Sequence, residues 1–163
     1  MNGATMLKVG MADMKVATNG EWLKTTGLGS CVGLTLFDGH RRIAGMAHIM
    51  LPSSDIAREG KINPAKYADT AVPELVAQLQ RSGADVRRLV AKLAGGAQMF
   101  AFSGKDMMRI GPRNVESVKQ ELARFGIPLV AEDTGGHYGR TLEFDSRTGV
   151  LLIRSIQHGV KEI

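Results

Sequence analysis

Thiols are almost absent from this chain: Cys31 is the one cysteine among 163 residues. That excludes an internal disulfide framework and a cysteine-rich zinc site, and it fits a reducing, cytoplasmic setting. Aromatic residues are scarce at 5%, too few for a base-stacking platform. The net charge of +5 comes from 21 basic and 16 acidic residues. The basic residues are dispersed (Arg41, Arg42, Arg87, Arg88, Lys105, Arg109, Arg113, Lys119, Arg124) rather than gathered in a stripe. No nucleic-acid partner is therefore expected; the charge fits a solvated surface or attraction to an acidic protein. No apolar run nears the ~20 residues that a spanning helix needs. Lys8, Asp13 and Lys15 break up the stretches that a signal peptide would require. The sequence predicts a soluble protein without membrane insertion.

What is present is an ordinary globular mix, 44% hydrophobic and 23% charged, without repeats or linkers. One domain over residues 1–163 is expected, large enough to bury a core. Short β-branched or alternating runs predict strands over 7–9, 14–17, 21–25, 32–37 and 42–49. Asp38-Gly39 is a hairpin signal between the last two. Residues 53–63 read as a polar loop. Asn63-Pro64 reads as a helix start, with Pro73 as a kink and Gly83 as the stop. A strand is expected over 86–93, a second helix over 112–125 ended by Gly126, a strand over 127–132, and a hairpin from 140–144 to 149–156. This order argues a mixed α/β (α+β) domain, not a regular doubly wound sheet.

Cys31 ends a glycine-rich turn, Thr25-Thr26-Gly27-Leu28-Gly29-Ser30-Cys31, and His48 follows seventeen residues later. The hairpin puts the two on neighbouring antiparallel strands, Cys31 at the start of one and His48 near the end of the next. A thiol near its free pKa of ~8.5 is a weak nucleophile, and an adjacent imidazole activates it. Glycines let the backbone approach a substrate and leave amide N–H groups, around Gly29 and Ser30, to hold an oxyanion. Against this, a free cysteine is often a small core residue, and a histidine on an apolar strand is often a packed one. Thr25 and Thr26 are both placed to orient the imidazole through a hydroxyl, and β-propensity explains either equally well.

Other signals are weaker. Gly27-Leu28-Gly29 lacks the third glycine of a dinucleotide fingerprint, and Gly95-Gly96 and Gly135-Gly136 match no phosphate loop. His137 and Tyr138 are candidates to line a site; His40 and His158 read as surface residues. Met99, Phe100, Phe102, Met107 and Met108 form a soft apolar patch, either core or a protein-docking surface.

Together these residues resemble the CheD family of chemoreceptor glutamine deamidases. The resemblance rests on 25–34, on Gly45-Met46-Ala47-His48-Ile49-Met50-Leu51-Pro52, on 66–69, on 92–99, on Ile110-Gly111-Pro112-Arg113-Asn114, and on 133–140. These segments span nearly the whole chain in the family's order. The resemblance implies a catalytic Cys31, His48 and Thr25, the threonine lying six residues before the cysteine, and makes Thr26 its neighbour. It implies a layered β-sheet sandwich flanked by helices, like the cytotoxic-necrotizing-factor-type deamidases. It also implies hydrolysis of glutamine amides on methyl-accepting chemotaxis receptors through a thioester, with no metal or cofactor, at receptor cytoplasmic domains, and the phosphatase CheC as a partner. A chemotaxis adaptor that mainly binds receptors or CheC, and a cysteine hydrolase with another substrate, are the alternatives.

Overall fold

The computed structural model describes residues 4–57, 60–99 and 109–163. Among them lie ten strands and two α-helices: β1 (Met6–Lys8), β2 (Met14–Ala17), β3 (Trp22–Leu28), β4 (Val32–Asp38), β5 (Ile43–Ile49), α1 (Ala68–Arg81), β6 (Val90–Gly95), α2 (Ile110–Arg124), β7 (Leu129–Thr134), β8 (Arg140–Asp145), β9 (Leu151–Ser155) and β10 (Gly159–Glu162). The strands form two five-stranded sheets, a front sheet β1-β3-β8-β9-β10 and a central sheet β2-β5-β4-β6-β7. Both helices pack on the outer face of the central sheet, giving three layers. The architecture is the mixed α+β sandwich expected, with helices on one face.

The layering follows from alternation along the central strands. Val32, Leu34 and Leu36 of β4 join the core shared with α1 and α2, while Phe37 packs against the inter-sheet core. A strand buried on both faces reads as a nearly continuous apolar run, and every residue of β5 is buried. Phe37 meets Phe144 of the front sheet edge-on, with ring centroids 5.6 Å apart. Both helices end as their glycines predict. Gly83 (φ +101°) and Gly126 (φ +67°) take the left-handed conformation, and Ala84 N–H and Ile127 N–H reach back to Leu79 O and Leu122 O.

Several boundaries differ from the expectation; α2 starts at Ile110 rather than 112, and β3 runs on to Leu28 rather than ending at 25. Asn63 caps a separate 3₁₀ turn, Pro64–Lys66, and α1 begins only after the extended Tyr67, then continues through Pro73. Val86–Arg88 is a 3₁₀ turn, not strand, because the Asp85 carboxylate accepts the Arg87 N–H. The expected strand over 86–93 is β6, beginning at Val90, and β7 starts at Leu129 rather than 127, since Gly126 and Ile127 complete the cap of α2. β10 is an addition.

Asp38 pins the end of the β4–β5 hairpin. Its fully buried carboxylate accepts N–H bonds from His40 (3.1 Å), Arg41 (3.2 Å) and Asp85 (2.8 Å). Asp38→Ala strands these donors in a poorly solvated corner. We expect a loss of about 3 kcal/mol, read as a lower urea midpoint, with Asp38→Asn retaining part of it. A change under about 0.5 kcal/mol would show that water replaces the carboxylate.

Candidate active site

The chain between β3 and β4 crosses from the front sheet to the central one, and this crossing brings three side chains together. Thr25 comes from the front sheet, opposite Leu142 of β8. Three residues on, Leu28 pairs with Arg140, so one extra residue is inserted on the β3 side. This bulge, with Gly27 at φ +72°, lets Thr25 and Leu28 both face the interior and turns Thr26 outward to solvent. Thr25 is 1% exposed and His48 fully buried.

His48 stands on the face of β5 that meets the front sheet, directly across from Gly33 of β4. Gly33 is needed there: a Cβ at this position would lie 2.4 Å from Leu142 Cδ1 and 3.2 Å from Leu28 Cδ1. The front sheet thus closes down beside the imidazole. Cys31 precedes β4, shares the inter-sheet face with Gly33, and is half-buried against that core. In the ladder frame it is the diagonal neighbour of His48.

The hydrogen bonds decide which nitrogen of His48 carries a proton. Thr25 Oγ1 is 2.8 Å from Val9 O and 2.7 Å from His48 Nδ1. A carbonyl only accepts, so the single hydroxyl proton goes to Val9. The hydroxyl lone pair must then accept from Nδ1–H. That leaves Nε2 as the nitrogen with a free lone pair, and it is buried without a hydrogen-bond partner among the described residues. Such an orphan costs about 1–3 kcal/mol, which a packing role does not explain. A thiol on the same face is the group placed to use it.

Electrostatically the pair rests uncharged. Burial pushes the Cys31 thiol above its ordinary 9.0, offset in part by its own backbone N–H. Burial lowers His48 below 6.5, with the Asp13 carboxylate pulling the other way. Asp13 also accepts the His48 N–H on its carbonyl (2.9 Å), while its carboxylate takes the Gly10 and Met14 N–H groups. Sequence reasoning missed this residue, because its contact with β5 is long-range and carries no local signal.

The turn that carries Cys31 is held from two sides. Gly96 N–H donates to Cys31 O at 2.9 Å and Ala97 N–H to Gly29 O at 2.9 Å. Gly95, at φ +104°, sits so close that a Cβ would lie 2.4 Å from Cys31 O. The Gly95-Gly96 turn is therefore a clasp for the cysteine backbone. From α2, Asn114 Nδ2 donates to Ser30 O (2.9 Å) and Met50 O (3.0 Å). Gly29 N–H is engaged by Gly27 O at 3.1 Å, which withdraws it as an oxyanion donor in this arrangement. The N–H groups of Ser30 and Cys31 donate to no other residue among those described.

The remaining candidates lie around this centre. Met99 is 44% exposed and its side chain covers Gly29; Phe100, Phe102, Met107 and Met108 lie outside the described residues. His137 is exposed and bonds Gln98 O, while Tyr138 packs between His158 and Arg140. Neither reaches the Thr25–His48 pair. Among the described residues no three His, Cys, Asp or Glu side chains gather as a metal site would require. No described helix is long and apolar enough to cross a membrane.

Residues 50–155 match the family model "CheD chemotactic sensory transduction". That match begins just after His48, but whole-length relatives cover the site. A probable chemoreceptor glutamine deamidase CheD of Geobacillus kaustophilus is 56% identical over 165 residues, covering 100% of both chains. The chemoreceptor glutamine deamidase CheD of Bacillus subtilis is 48% identical, covering 98% of this chain and 97% of its own. Among solved structures, the Bacillus licheniformis hypothetical protein YfiH is similar at a TM-score of 0.48 and 15% identity, covering 75% of this chain and 50% of that one. With the family model matched over residues 50–155 and relatives about half identical over nearly the whole chain, the chain belongs to the CheD family.

Proposed function

We propose that the chain is a chemoreceptor glutamine deamidase, one CheD-like domain over residues 1–163, with Cys31 as nucleophile, His48 as base and Thr25 as the residue that orients the ring. The observation that carries this reading is the bare, buried Nε2 of His48, its tautomer set by Thr25, on the face it shares with a half-exposed thiol. The Cys31 S–H proton passes to Nε2 as sulfur bonds to the glutamine carboxamide carbon. The carbonyl oxygen becomes an oxyanion facing the Ser30 and Cys31 N–H groups, each such donor being worth roughly 10²–10³ in rate. Collapse breaks the C–N bond, and Nε2 returns its proton to the departing ammonia. Water, deprotonated by the same nitrogen, then cleaves the thioester to glutamate and the free thiol. The substrates would be methyl-accepting receptors at their cytoplasmic domains, and the phosphatase CheC a binding partner.

The test is intact-mass spectrometry of a receptor cytoplasmic fragment incubated with the chain. A gain of about 1 Da per converted glutamine is expected. No gain, or cleavage of the fragment backbone, would overturn the reading.

The resting protonation states make a second prediction. Only neutral His48 accepts the thiol proton, and its pKa lies below 6.5, so the base form already dominates at pH 6.5. The acid limb of kcat/KM should therefore fall below pH 6.5, and the rate of Cys31 alkylation should climb steadily until above pH 9.0. Alkylation already fast and nearly flat between about pH 5 and 8 would instead mean a thiolate–imidazolium pair at rest.

A further inference from the structure

The inner stripe of α2 carries a fully buried amide. Gly111, Asn114, Val118 and Leu122 face inward at helical spacing, and Asn114 is fully buried. Gly111 sets the approach of the helix: a Cβ there would lie 2.2 Å from Ala97 O, so the first turn rests against the segment that clasps Cys31. One turn on, Asn114 meets the nucleophile turn. Both of its amide protons are spent, on Ser30 O and on Met50 O, which orients the amide without ambiguity. Its Oδ1 is buried with no partner among the described residues. A core position that only needed filling would take an apolar residue at less cost.

The two carbonyls flank the chemistry. Ser30 precedes the nucleophile, and Met50 stands two residues beyond the base. The Ser30–Cys31 peptide is planar and trans, so its C=O and N–H point in opposite directions. Fixing Ser30 O toward α2 therefore aims the Cys31 N–H away from α2. Cys31 O is held separately by Gly96 N–H, so the residue cannot rock about its own backbone.

We propose that Asn114 is a positioning residue for the oxyanion site: it fixes the peptide plane that presents the Cys31 N–H to the developing negative charge, without itself touching substrate. The inference rests on the deamidase reading and adds to it a residue on a different element, 83 positions downstream of the nucleophile.

The test uses the full chain and a receptor fragment, with Asn114→Asp, which keeps the shape but turns an acceptor toward both carbonyls, and Asn114→Ala. Thiol alkylation by iodoacetamide needs the cysteine–histidine pair but no oxyanion site, so it separates the two roles. Expected is a fall in kcat of about 10²-fold with KM changed by less than roughly threefold, and an alkylation rate within about twofold of the wild type. A kcat within about threefold of wild type in a folded variant would overturn the proposal. So would alkylation falling in step with kcat, which would make Asn114 a clamp on the strands alone. If thermal melts show both variants unfolded, Asn114→Ser, which retains one donor, takes their place. Should that also fail to fold, Asn114 is a packing residue and the proposal is lost. A wild-type chain that gives no mass gain removes the deamidase reading and this inference together; gain in the wild type with unaltered variants removes the inference alone.

Discussion

Cys31→Ala should lower conversion of receptor glutamines by at least about 10⁴-fold while the protein still melts cooperatively. The size follows from the chemistry: without sulfur there is no thioester, and the remaining amide donors and His48 can only act on a water that has no fixed place. The intact fold follows from the position. Cys31 is half-buried at the mouth of β4, its backbone held by Gly96 and its neighbour by Asn114, and none of these bonds uses the side chain. Truncation there removes one atom from the rim of the inter-sheet core. Residual conversion within about tenfold of wild type would overturn the nucleophile assignment. The same variant separates an enzyme from an adaptor: a chain whose work was binding would keep its effect on chemotaxis with alanine at this position.

Thr25→Val is expected to cost roughly 10²–10³ in kcat, and Thr26→Val less than about threefold. Valine matches threonine in shape, so the change deletes one hydroxyl. With it go the acceptor for His48 Nδ1–H and the donor to Val9 O, both in a fully enclosed place. The imidazole is then free to settle as the other tautomer, which points a proton where a lone pair is needed. A loss of about 1–3 kcal/mol in stability should accompany it. Thr26, turned to solvent by the bulge, offers His48 nothing. Equal effects of the two substitutions would refute the assignment, whatever their size.

How far the chain could be read in advance depended on the range of the interactions. The Asp38-Gly39 signal and strand alternation were enough to set Cys31 beside His48, because a hairpin is local. The helix stops at Gly83 and Gly126 were legible for the same reason. Thr25 and Thr26 could not be separated by pattern, since the inserted residue at the bulge breaks the alternation on which pattern reasoning relies; only the resemblance to a family pointed to Thr25. The turn over Val86–Arg88 looked like strand because Val86 and the alternating Leu89, Ala91 and Leu93 fit one; the Asp85 cap outweighs propensity there. β10 escaped because all four of its residues are exposed, leaving no apolar face to betray it. Asp13 and Asn114 reach the site from other elements, through contacts that only the assembled layers create.

The crossing between β3 and β4 has a consequence for the life of the chain before it is finished. Thr25 belongs to one sheet, Cys31 and His48 to the other, and β8, the strand that pairs with Thr25, is made after every strand that carries these three residues. Until it docks, nothing holds the Thr25 hydroxyl against His48 Nδ1 and the imidazole has no fixed tautomer. On the proposed reading, a newly made chain surrounded by exposed glutamines would carry no working chemistry against them until its two sheets have met.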